Sequence, residues 1–529
     1  MSVYSVGVFI SLIMFIVIGI AAGHRVKDIN DYYVAGRNAP VILIAGSLVA
    51  SFLSTGAFLG DTGEVYSGFF MGIMIVGVLQ ASGYVYGAHL FGKYIRRSSV
   101  NTVPEYFGQR FASRRLRVLA SVTLIFAVTA YTLSAMQGIS TLMMSITGLS
   151  YKTCAVISWL SFTAFTVWSG AKGVLLTDTV MFMIFLAGSL VCVPYIVNAA
   201  GGWHEAISAL AVSSTRPGII SWANTPDYLY SSGTQNLIWA VTYGIVWALV
   251  VMVSPWQTSR YLMAKDEHTV LRSSVWASMG VITVTAALYF SAAFVYKINP
   301  DIKPESTNLI WAAMNLVPLP AGIIMLTGIL SAGISSASTF LSLIGSSLTH
   351  DILSRREGLK LSRLVMLAAG LVVLVLAFYN PPQIFWVMYF GGTVIASSWG
   401  VTALASAWFR SISECGAFWG MLLGFIGCVV PKIHSALKGI TLPLWLDPFF
   451  TGMFLSLAGM ISGSMLYPAG EQEKAQYDIL HVRPESERLS GKDKATYRLA
   501  YVYTVFGVIF GAFFVMYYAL PYMKAVRSL

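Results

Sequence analysis

ILIAGSLVASFLSTGAFLGDTGEVYSG, residues 42–68, opens as a membrane-length apolar run and then breaks its own pattern: Ser54, Thr55 and Gly56 fall mid-run, and a glycine-rich acidic tail follows. Glycine and small polar residues weaken a continuous helix, and unwound backbone is tolerated at membrane depth only where it lines protein or a cavity. A second run, NLIWAVTYGIVWALVVMVSPWQTSRYL, residues 236–262, is interrupted in a similar way, with Gly244 in its outer half and Pro255 near its inner end. One such run begins each of two groups of five spans, Ile42 to Asn198 and Asn236 to Arg410. Five is odd, so the second group enters the membrane in the opposite sense to the first. That is the inverted-repeat plan of many secondary transporters, which bind their cargo where broken helices meet.

The rest of the chain agrees with a membrane reading. Of 529 residues, 57% are apolar and 10% charged, against about 25% charged in soluble domains. A spanning helix needs roughly 20 apolar residues, and fourteen candidate runs are found, the first at Val3 and the last at Ala500, with the fifth and sixth starting at Thr153 and Val174. The longest polar stretch, Pro468 to Leu499, is too short for a catalytic domain, so the chain reads as no enzyme. The net charge of +11 would raise nucleic acid as a partner in a soluble protein; here its placement matters more. Loops assigned to alternate sides hold 25 Lys and Arg on one side and eight on the other, together the 33 of the chain. The rich side includes HRVKDIN, Lys93 to Arg117, LSRREGLKLSR and the stretch after Tyr467, so it is expected to face the cytoplasm, with both termini outside. No nucleic-acid partner is expected.

Cys154, Cys192, Cys415 and Cys428 show no paired spacing, and the seven histidines are scattered, so no metal other than sodium is expected. The strongest chemical signal is AGIIMLTGILSAGISSASTFLSLIGSSLTHDIL, residues 321–353. Ser331, Ser335, Ser338 or Thr339, Ser342, Ser346 and Thr349 recur at steps of three or four and share one helix face. Such a stripe serves close helix packing, or supplies hydroxyls to sodium, a hard cation that takes neutral oxygens and free carbonyls from an unwound helix. Ser335 and Ser336 beside the broken run suit the second role.

Ionisable groups at membrane depth are few. Asp61 and Glu64 are either functional or part of a solvated outer loop, and Asp178 is either functional or a helix cap. No Lys or Arg is placed mid-membrane, so no fixed cation is expected to meet an anionic solute. Tyr84, Tyr131, Tyr243, Trp247 and Trp386 lie in spans that could face a central cavity.

The ordered motifs DYYVAGR, ASFLSTGAFLG, TVPEYFGQRF, LLTD (Leu175–Asp178), NAAGGW, SRYLMAKD, the serine-rich span ending THDIL, and AWFRSISECGAFWGMLLG resemble the sodium:solute symporter family over most of the chain. The resemblance implies an all-α polytopic membrane protein of about 14 transmembrane helices, built on a leucine-transporter-type five-plus-five inverted-repeat core. Residues 1–41 would be an extra N-terminal helix and cytoplasmic loop, 42–198 the first repeat, 199–235 an extracellular loop, 236–410 the second repeat, and 411–529 three accessory helices. It implies a sodium site from the carbonyls of Ala50, Leu53 and Ala332 with the hydroxyls of Ser335 and Ser336, and a second sodium position at Asp178, Ser338 and Thr339.

The family's proline carriers have an aspartate where this chain has Phe52, its sialic acid carriers an arginine in the fourth span that FAVTAYTLSAMQG lacks, and its sugar carriers a glutamine where Ala57 stands. The expectation is therefore a sodium-coupled symporter importing a small organic solute (sugar, amino acid or monocarboxylate) by alternating access, with Ser54, Thr55, Gln80, Tyr84, Gln137 and Trp247 around the solute. Sodium is the coupling ion, no organic cofactor is needed, and the partners are solute, sodium and lipid bilayer. The expected location is a plasma membrane, bacterial inner membrane by its short loops. Proton coupling centred on Asp178 and a transport-like sensor or receptor are the alternatives.

Overall fold

The computed structural model describes residues 3–23, 33–226, 229–353, 359–379, 383–440, 442–488 and 490–528. The expected inner loop HRVKDIN, the first two residues of DYYVAGR and part of LSRREGLKLSR lie outside them. Among the described residues twelve helices are long and apolar enough to cross a membrane, and Val41–Phe52 is a shorter apolar one. The expected fifth and sixth spans both fall in one helical element, Tyr151–Ala199, of which Gly173–Ala199 is long and apolar enough to cross a membrane.

The first broken helix stops at Phe52 because Leu53 leaves helical geometry (ψ 85°). The Ser54 N–H then bonds the Phe52 carbonyl at 2.8 Å instead of reaching back a full turn. Helix resumes with a wide turn over Gly56–Asp61 and continues through Glu64. The chain turns back at Gly68, whose φ of 114° favours glycine, and runs on as Phe70–Gly87. Direction has reversed by then: the Tyr84 hydroxyl reaches the Leu48 carbonyl at 3.1 Å.

The second broken helix comprises Gly233–Val253 and Pro255–Met263, separated by Ser254 in extended geometry (ψ 141°). Pro255 opens the second half, where its missing N–H costs nothing. Gly244, expected as an interruption, lies inside the continuous first half; its bare face admits Leu79 of Phe70–Gly87. The halves Val41–Phe52 and Pro255–Met263 lie side by side in opposite directions, Ser47 Oγ accepting from Arg260 Nε at 2.9 Å and Gln257 Nε2 donating to Ser51 Oγ at 3.5 Å.

The serine helix, Leu319–Ser346, is buried along nearly its whole length. It packs on Gly173–Ala199 through glycines, a Cβ on Gly328 falling 3.0 Å from Phe185 Cα and one on Gly188 3.0 Å from the Ile324 carbonyl. The polar stretch after Tyr467 forms a helix, Glu471–His481, held by Arg110, which donates to the Glu473 carbonyl at 2.9 Å. The last apolar helix, within Gly491–Arg527, buries none of its most apolar stretch against the rest of the protein.

Candidate functional site

The first break frees a carbonyl. With the Ser54 N–H turned to Phe52, the Ala50 carbonyl loses its usual donor four residues on and instead accepts from Ser335 Oγ at 2.8 Å and Ser336 Oγ at 3.5 Å. Ser335 Oγ also lies 3.2 Å from the Ala332 carbonyl. The Leu53 carbonyl has no donor among the described residues. Ala50, Leu53, Ala332, Ser335 and Ser336 are all buried, at 0 to 1% exposure. Neutral oxygens from two elements therefore converge where one helix has come apart, the donor set a hard monovalent cation requires.

A second polar cluster sits nearby. Asp178 is fully buried, and its Oδ2 accepts from Ser47 Oγ at 2.6 Å and from an Arg260 terminal nitrogen at 3.0 Å. The same nitrogen donates to Thr339 Oγ1 at 2.5 Å, while Asp178 Oδ1 is buried without a partner. Ser338 Oγ bonds the Ser335 carbonyl of its own helix at 2.9 Å. The expectation of no buried cation is thus corrected: Arg260 is 3% exposed and lies within the second broken helix. An isolated charge there would be costly, and the ion pair with Asp178 is what permits it. Ser259, Arg260, Thr339 and Ser346 also border a cavity of about 60 Å³ that extends to Tyr33 and Asn101.

Between the two broken helices is a smaller cavity, of about 20 Å³. Its walls include Phe52, Tyr131, Tyr243, Trp247 and Phe385, with Gln80 and Asp61 as the polar groups besides the phenols. The rings interlock edge to face: Phe52 and Trp247 have centroids 6.0 Å apart, Tyr243 and Trp247 6.2 Å. Asp61 is 9% exposed, its Oδ2 accepting the Tyr289 hydroxyl at 2.7 Å.

Of the six residues expected around a solute, the structure brings Gln80 and Trp247 to this cavity. Ser54 Oγ accepts from the Gly56 N–H at 3.0 Å, stabilising the break itself, and Thr55 Oγ1 donates to the Ala135 carbonyl at 3.2 Å. Tyr84 is spent on Leu48, and Gln137 Oε1 accepts from the Gln383 N–H at 3.3 Å. Tyr131 and Tyr243 line the cavity as their positions suggested, whereas Trp386 is exposed. Phe385 and Met388 went unforeseen; they lie in the first turns of Ile384–Trp408, ahead of that span's small and polar residues Gly391, Gly392, Thr393, Ser397 and Ser398.

A family model described as the sodium:solute symporter family matches residues 32–424. The sodium/pantothenate symporter of Escherichia coli (strain K12) is 23% identical over 453 residues, covering 82% of this chain and 90% of that protein. The sodium/proline symporter of Salmonella typhimurium is 23% identical over 475 residues, covering 85% and 89%. Among solved structures, a Na+-coupled sialic acid symporter in a substrate-bound, outward-open state superimposes with a TM-score of 0.73 at 18% identity, over 89% of this chain and 99% of that one.

Proposed function

The chain belongs to the sodium:solute symporter family, and from that premise we propose that it imports a small organic solute across a plasma membrane by alternating access, with sodium held at Ala50, Leu53, Ala332, Ser335 and Ser336. The observation that carries this reading is the Ala50 carbonyl, released by the break and met by two serine hydroxyls of another helix. Sodium arriving there would replace hydrogen bonds with coordination and tie the first broken helix to the serine helix. The tie favours one arrangement of the cavity between the breaks, which is how an ion biases a two-state carrier. The membrane potential adds about 2.3 kcal/mol per charge per 100 mV.

The proposed division of the chain is residues 42–198 and 236–410 as the two repeats, residues 1–41 before them, 199–235 as the loop between, and 411–529 as accessory helices. The basic loops would face the cytoplasm and both termini the outside. Asp178, Ser338 and Thr339 are proposed as a second sodium position reached when Arg260 withdraws from the carboxylate.

Thermal unfolding of the purified protein in sodium against potassium tests the reading, because a ligand of the folded state raises apparent stability by mass action. Sodium is expected to stabilise the wild type and not the double variant Ser335→Ala, Ser336→Ala. Equal behaviour in both salts for both proteins would transfer the reading to proton coupling at Asp178.

A further inference from the structure

We propose that the solute of the central cavity carries a cationic group, an ammonium or guanidinium, seated against Asp61. This inference rests on reading that cavity as the transport site. Asp61 is the one charged side chain in the lining. Tyr289 occupies one carboxylate oxygen, and the other has no hydrogen-bond partner among the described residues. No Lys, Arg or His among them forms an ion pair with it. A buried carboxylate with one donor and no counter-ion is poorly compensated, and a cationic guest supplies what the protein leaves out.

The walls suit such a guest. The faces and edges of Phe52, Tyr131, Tyr243, Trp247 and Phe385 surround the space, and aromatic faces attract a desolvated cation. The Tyr243 hydroxyl, buried without a partner in good geometry, and the Gln80 amide remain for a polar tail. Glu64 lies one turn beyond Asp61, and Gly63 packs on Ser306, whose neighbour Glu305 is paired with Lys303 at 3.0 Å. An anionic solute would meet no opposite charge in this lining. A sugar could bond to Asp61, Gln80 and the phenols but would bring no positive charge to the carboxylate.

The test is a charge series on the full-length purified protein, read by thermal unfolding with sodium present. Choline, butylammonium and methylguanidinium are compared with the neutral analogues 3,3-dimethylbutan-1-ol, pentan-1-ol and methylurea, and with glucose and acetate. At least one cation is expected to stabilise the wild type saturably while its neutral analogue does not. Asp61→Asn should weaken that response at least tenfold and keep the stabilisation by sodium alone. Stabilisation by a neutral analogue equal to its cation, by glucose or by acetate, or by none of the compounds, would overturn the proposal while leaving the sodium reading in place. Loss of the sodium effect in Asp61→Asn would also overturn it, making Asp61 an ion ligand. Should that variant not fold, the wild-type series decides alone. Absence of any sodium effect on the wild type counts against the coupling site and not against the charge preference.

Discussion

Arg260 and Asp178, 82 positions apart in the chain, meet at 3.0 Å with side-chain exposures of 4% and 0%, so that the second broken helix is held by charge to the span Gly173–Ala199. Ser47 bonds both partners and brings the first broken helix into the same cluster. Removing one member of a buried pair strands the other, at about 3 to 5 kcal/mol. Asp178→Asn and Arg260→Gln should each lower the melting temperature strongly, and the double variant should cost clearly less than their sum. Thermal unfolding of the four proteins, taken as a double-mutant cycle, measures the coupling; additive losses would mean the pair contributes no net attraction.

The two serines that meet Ala50 are unequal. Ser335 stands at 2.8 Å and Ser336 at 3.5 Å, beyond the usual hydrogen-bond range. Loss of a contact worth about 1 kcal/mol corresponds to roughly a fivefold change in affinity. Ser335→Ala is expected to raise the sodium concentration for half-maximal stabilisation by about that factor and more than Ser336→Ala does. A sodium titration of both single variants checks the ranking.

Close helix contact gives a further expectation. A Cβ at Gly83 would stand 2.3 Å from the Ala248 carbonyl and 2.9 Å from Val251 Cβ, and the backbone it meets cannot rotate away. Gly83→Ala should destabilise by about 1 to 3 kcal/mol. Gly507→Ala, in the exposed last helix with nothing within 4 Å, is the control and should be neutral or mildly stabilising, since alanine is the better helix former. Unfolding curves of the two variants make the comparison.

Asp447 caps the helix Pro448–Leu466 through the Phe449 N–H at 2.9 Å and accepts the Tyr389 hydroxyl at 2.9 Å. Burial holds its carboxyl above the ordinary aspartate range, outweighing those two bonds. The folded protein therefore binds this proton more tightly than the unfolded chain. Its contribution to stability is fully present below the ordinary aspartate value and is lost as pH rises through the higher folded value. Asp447→Asn, which keeps an acceptor for the cap, should remove this component, so the wild type loses melting temperature relative to the variant on going from acid to neutral pH. A difference independent of pH would contradict the assignment.

The two broken helices and the serine stripe were legible in the sequence because Ser54, Thr55 and Gly56 stand side by side in one apolar run and Pro255 interrupts the other, and because a hydroxyl every three or four positions falls on one face. Arg260 was not legible. It follows Pro255 in a stretch of mixed polarity, WQTSR, that reads as the inner end of a span, and its burial depends on a carboxylate far away in sequence. Asp61 was visible as an acid just past an apolar run, but nothing local distinguishes a solvated turn from a helix that resumes after a break and carries its carboxylate into a cavity. Gly244 misled for the opposite reason: glycine marks a close neighbour as often as an interruption, and Leu79 is that neighbour.

The repeat of hydroxyls along Leu319–Ser346 makes the helix resemble a toothed rack. A slide of one turn, about 5.4 Å, would carry Ser331 or Thr339 to the level that Ser335 now holds opposite Ala50. Neither is free to replace it there, Ser331 Oγ bonding the Thr327 carbonyl and Thr339 Oγ1 accepting from Arg260. A slide would also press Ile324 or Ala332 into the place where Gly328 meets Phe185, so the repeat is read in one register only, with Ser335 as the tooth that engages.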